Sequence, residues 1–98
     1  MFKNLIFTDK VSTSGLNHHL ISKNEIKGLD ISCDYIVFVA EEENGDILNT
    51  DIEFSDNRGH YGYLDGGFQT KMTIQQAKEF CNNHFKNVCQ EIYNSIME

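Results

Sequence analysis

Residues 31–54 read ISCDYIVFVAEEENGDILNTDIEF, and their pattern decides the fold. Leu29, Ile31, Cys33, Tyr35, Val37 and Val39 recur at every second position, the period of a half-buried strand. Ile36 and Phe38 make the other face apolar as well near the strand's end. Asn44-Gly45 follows, and Ile47–Phe54 reads as a returning strand. Asn-Gly between strand-like runs predicts a two-residue type I′ turn, because both central positions need positive φ. That turn sets a register. Val39 falls opposite Thr50, Val37 opposite Ile52 and Tyr35 opposite Phe54, and with Leu48 they form one core face. The other face sets Phe38 beside Asp51 and Ile36 beside Glu53, and at the tip Glu43 opposes Asp46, a pair of like charges.

Working outward, Phe2–Thr8 reads as a first strand. Val11–Lys27 has no clear period and reads as a loop with a short strand or helical turn near Leu16–Ser22. After the hairpin, a Gly-containing segment, Ser55–Gly59, leads to a strand-like His60–Leu64. Asp65-Gly66-Gly67 is a second turn signal before Phe68–Met72. The last element is the clearest. Thr73-Ile-Gln-Gln76 has the form of a capping box. From there Ile74, Ala77, Cys81, Phe85, Val88, Cys89, Ile92 and Ile96 fall on one helical stripe. The expected fold is therefore α+β, one globular domain over residues 1–98. An antiparallel sheet of four to five strands carries a long C-terminal helix across one face.

The charge is uneven. Of 15 acidic residues, ten lie between Asp30 and Asp65, where Arg58 is the only lysine or arginine. A one-sign field of this kind attracts partners of opposite sign and repels nucleic acid and anionic membrane. No apolar run approaches a membrane span, and Met1–Phe7 lacks the apolar stretch of a signal peptide. Three cysteines, Cys33, Cys81 and Cys89, are too few and too irregular for a disulfide framework, which fits a reducing cytoplasm.

No catalytic or cofactor motif stands out, and the chain reads as a non-enzyme without cofactor or metal. Cys81, His84 and Cys89 lack the paired spacing of structural zinc. Gly59-x-x-Gly62 and Gly66-Gly67 lack the following Lys-Ser/Thr of a phosphate loop and read as turn glycines. Glu41–Asp46 lacks the alternating oxygen ligands of a calcium loop. His18, His19 and His60 have no nucleophile that the sequence places beside them. A closed apolar pocket holding His60 or His84 beside a carboxylate would instead mark a small enzyme or ligand-binding domain.

The remaining signal is a binding surface. Asp46, Asp51, Glu53 and Asp56 are the leading candidates for contact with a basic protein, followed by Glu42, Glu43, Tyr61 and Tyr63. Ile36 and Phe38 either belong to that surface or are covered by Val11–Lys27. In size, acidity and sheet-plus-helix layout the chain resembles the immunity proteins of contact-dependent growth inhibition systems and of nuclease bacteriocins. The likeness spans the whole chain in outline and transfers no individual residue. It implies a basic protein partner, a nuclease toxin whose cleft for RNA or DNA the acidic surface would occupy. A phage-encoded inhibitor of a nucleic-acid-binding defence complex, of the anti-CRISPR kind, would use the same electrostatics. Oligomeric state is open.

Overall fold

The computed structural model describes residues 4–11, 15–64 and 71–97. Five strands, β1 (Thr8–Val11), β2 (Asn17–Ile26), β3 (Ile31–Glu41), β4 (Ile47–Asp56) and β5 (Tyr61–Tyr63), precede one helix, α1 (Ile74–Met97). The strands lie in chain order β1-β2-β3-β4-β5, every neighbouring pair antiparallel. The fold is α+β, with α1 against one face of the sheet. The turn expected at Asp65-Gly66-Gly67 lies outside the described residues, as do Phe2, Lys3 and Phe68–Thr70.

β3 and β4 hold the core register read from the sequence: Val39 opposite Thr50, Val37 opposite Ile52, Tyr35 opposite Phe54. Five of these side chains are inaccessible and Phe54 nearly so. With Leu20 from β2 and Ala77 and Cys81 from α1 they form the buried core. All three cysteines are free thiols. Burial pushes Cys33 up to about 11 and Cys81 up to about 12, so both pack as neutral apolar groups.

The hairpin tip differs from the expectation. The loop has three residues, Glu43–Gly45, closed by Gly45 N–H donating to the Glu42 carbonyl (2.9 Å) and Glu42 N–H donating to the Asp46 carbonyl (2.8 Å). Gly45 alone takes positive φ (91°). Asn44 stays at negative φ because its side chain bonds forward. Its Oδ1 accepts from Asp46 N–H and its Nδ2 donates to Asp46 Oδ2, both at 3.0 Å. The pairing then shifts between Ala40, opposite Asn49, and Glu41, opposite Ile47. Leu48 is the extra residue of a bulge. Glu42, not Glu43, therefore meets Asp46, and Leu48 is 50% exposed while Ile47 packs toward the core.

β2 is a full ten-residue strand where a loop with only a short strand or helical turn near Leu16–Ser22 was expected. Its core side carries His18, Leu20, Ser22, Asn24 and Ile26. Only two of these are apolar, so the period is hidden. Ser22 is buried because Asn24 Nδ2 donates to its Oγ (3.0 Å) and to the Cys33 carbonyl (3.3 Å). The first strand begins at Thr8 rather than ending there. Leu5 N–H instead donates to Asn82 Oδ1 on α1 at 2.8 Å. Leu29 lies in the β2–β3 turn, where Gly28 and Asp30 take positive φ.

The capping box forms reciprocally. Gln76 N–H donates to Thr73 Oγ1 (3.1 Å) and Thr73 N–H donates to Gln76 Oε1 (2.9 Å). Along the stripe, burial fades from Ala77 and Cys81, both inaccessible, through half-buried Phe85 and Val88 to Ile96, 58% exposed. Among the described residues, no helix is long and apolar enough to cross a membrane.

Candidate acidic and apolar sheet face

The face of the sheet opposite α1 is built from three rows that cross the strands. The first runs Lys10, His19, Phe38, Asp51. The second runs Thr8, Ile21, Ile36, Glu53, Tyr63, and the third Lys23, Asp34, Ser55, Tyr61. Each row follows from cross-strand register, since a side chain shares its face with the residue directly opposite. The centre is apolar (Ile21, Ile36, Phe38). Asp51 and Glu53 stand on one side of it, with Tyr61 and Tyr63 beyond them. Lys10, His19 and Lys23 stand on the other. A concavity of about 520 Å³ lies over the centre, lined by residues that include Lys10, Ile36, Phe38, Asp51, Glu53 and Tyr63.

β2 lies beside β3 and does not cover Ile36 or Phe38. Glu53 is held by the tyrosines. The Tyr61 hydroxyl donates to Glu53 Oε1 at 3.4 Å. Hydrogen bonding to the Glu53 carboxylate, together with its charge, raises the Tyr63 hydroxyl above its ordinary value. Asp51 accepts from Asn49 Nδ2 at 3.4 Å. Tyr61 and Tyr63 remain 71% and 49% exposed, so their rings are available for contact.

The other sequence candidates are placed elsewhere. Glu42, Glu43 and Asp46 are exposed at the hairpin tip, with Asp46 engaged by Asn44. Asp56 turns inward. Its carboxylate is inaccessible and accepts hydrogen bonds from Arg58 N–H (3.0 Å) and His60 N–H (2.9 Å), and it contacts His60 Nδ1 at 2.7 Å. Burial pushes the Asp56 carboxyl up, but these bonds outweigh it and bring it down to about 2. Asp56 thus organises the β4–β5 loop and stands apart from the sheet face.

Lys10, His19, Ile21 and Lys23 belong to the face but were not read from sequence as part of a binding surface. For His19, Ile21 and Lys23 the signal was the strand period of β2, which the polar core positions Ser22 and Asn24 concealed; Lys10 lies on β1, which was expected to end at Thr8.

A second concavity, a groove of about 540 Å³, runs between the later turns of α1 and the β4–β5 loop and contains His60, His84 and Asp56. It is a surface groove, with the His60 side chain 65% exposed. His84 Nδ1 lies 2.7 Å from the Tyr35 hydroxyl. Burial lowers the His84 pKa and pushes the Tyr35 hydroxyl well above its range, so the two share this hydrogen bond as neutral groups. His84 is thereby tied to the core. Among the described residues, no group of three histidines, cysteines or carboxylates is arranged to hold a metal ion. Comparison with protein-family models, curated proteins and solved structures finds no match for the chain.

Proposed function

We propose that this chain is an inhibitor of the immunity-protein kind, binding a basic protein through the sheet face opposite α1. The observation that carries the reading is the two adjacent rows that set Ile36 beside Glu53 and Phe38 beside Asp51, with Tyr63 next to Glu53 and Tyr61 next to Ser55. Solubility does not require apolar side chains beside carboxylates. They suit a partner that offers arginine or lysine around an apolar contact, with tyrosines supplying amphipathic area. Nuclease clefts are basic because they bind polyanions, so a nuclease toxin is the proposed partner class. The hairpin tip, with Glu42, Glu43 and Asp46, extends the acidic surface and speeds encounter.

The test is affinity capture from the native host with the wild-type chain and with Asp51→Lys/Glu53→Lys. The wild type should retain one basic protein that the variant does not, with both melting alike. Its association rate should fall as salt rises. Equal retention by both chains, or a rate indifferent to salt, would show that the acids serve only solubility.

A further inference from the structure

Among the described residues, the β5 edge leaves main-chain groups unpaired beside the acidic end of the sheet face. Asp56 N–H donates to the His60 carbonyl (2.9 Å) and Leu64 N–H donates to the Ile52 carbonyl (2.8 Å). Hydrogen-bonded pairs in an antiparallel ladder alternate, so Phe54 and Gly62 form the bonded pair between them. Tyr61 and Tyr63 sit at the intervening positions. Their N–H and C=O groups therefore point away from β4, out of the sheet, and no described backbone group pairs with them. Their side chains lie on the face opposite α1, next to Ser55 and Glu53.

We infer that the β5 edge takes an extended segment of the partner as a sixth strand, with arginine or lysine directly opposite Tyr61 and Tyr63. The inference rests on the proposed basic partner and specifies how it is held. A residue opposite Tyr61 or Tyr63 exchanges two main-chain hydrogen bonds with it and presents its own side chain on the same face. A strand added there lies about 10 Å from β4, two strand spacings, within the combined reach of an arginine and Glu53. Its cationic head also passes over the exposed tyrosine rings, a favourable placement at roughly 6 Å or less. The opposite edge, β1, lacks this complement, since Lys10 and His19 lie at that end of the face. Main-chain bonds supply affinity and alternate side chains supply selectivity, as in other strand additions.

Three capped hexapeptides alternating arginine and threonine test this. One is unmodified, one is N-methylated at every arginine, and one at every threonine. With ¹⁵N-labelled protein at low salt, the unmodified and threonine-methylated peptides should shift the Tyr61 and Tyr63 amides. Methylating the arginines removes the N–H groups that face β5 and should weaken binding about tenfold. Equal binding of all three, with shifts centred on Asp51 and Glu53, would overturn strand addition and leave the basic-partner reading standing. No binding by any of them would overturn both. A dimer in sedimentation, with the Tyr61 and Tyr63 amides protected from exchange before peptide is added, would assign the edge to a second copy and overturn the inference.

Discussion

Asp56 and His84 show how one residue's environment sets what it does. The Asp56 carboxylate collects the donors of a tight loop, and its pKa is lowered from 3.8 to about 2. A lowered carboxyl pKa means that the unfolded chain takes up protons first. The contribution is therefore full above about 3.8 and is lost as pH falls through about 2. Asp56→Ala should cost roughly 1–2 kcal/mol at neutral pH, since two loop N–H groups lose their acceptor. The gap between wild type and variant in urea melts should narrow below pH 3.8. An unchanged gap would mean that the carboxylate does not carry the loop. His84 has the same sign for a different reason. Burial lowers its pKa from 6.5, so the unfolded state binds the proton more readily. Stability tied to His84 is complete above pH 6.5 and declines as pH falls through the lower folded value. His84→Gln should flatten the loss of stability between pH 7 and pH 5, measured as the difference from wild type.

Among the elements, α1 has a graded interface that two substitutions can read. Phe85 is half-buried and meets the Tyr35 ring edge-on, with centroids 6.3 Å apart at 90°. Phe85→Ala should cost roughly 2–3 kcal/mol, below the range for fully buried phenylalanine, because part of the ring already faces solvent. Ile96 is 58% exposed in the last turn of the helix, so Ile96→Ala should change stability by no more than about 0.5 kcal/mol. Equal costs at both sites in chemical melts would mean that the whole stripe is packed. The same gradient shows what the sequence makes legible. The stripe located the helix and its capped start, because period and cap are local signals. It could not show that burial fades from Cys81 to Ile96 along that stripe. The β3–β4 register was legible for the same reason: alternating apolar residues on both strands admit one pairing. The tip was not, because Asn44 side-chain bonding competes with the type I′ backbone, and the Leu48 bulge absorbs the difference. β2 was illegible because Ser22 and Asn24 satisfy each other inside the core, where the pattern expects apolar residues. The candidate face followed this split. Its β4 half came from the legible hairpin, and its β1–β2 half came only with the structure.

At the scale of the whole molecule, the arrangement of charge matters more than its sum. The net charge is −7. Lys10 and Lys23 share the sheet face with Asp51 and Glu53 but stand across the apolar centre from them. Arg58 is tied to Asp56, with Nη2 and Oδ2 3.2 Å apart. Lys78 and Lys86 lie on α1, away from that face. Nucleic-acid affinity needs several cations close enough to neutralise adjacent phosphates and release their counterions. These five cations form no such stripe, and a duplex laid along the sheet face would meet carboxylates within the same rows. The chain should therefore show no micromolar affinity for DNA or RNA in a gel shift at physiological salt. Lowering the salt tenfold should not produce a complex, because weaker screening lengthens the repulsion as well as any attraction. A complex that strengthens as salt falls would place a cationic track on this molecule. The acidic face would then be unsuited to the cleft of a nuclease, and the sheet surface would need a neutral partner instead.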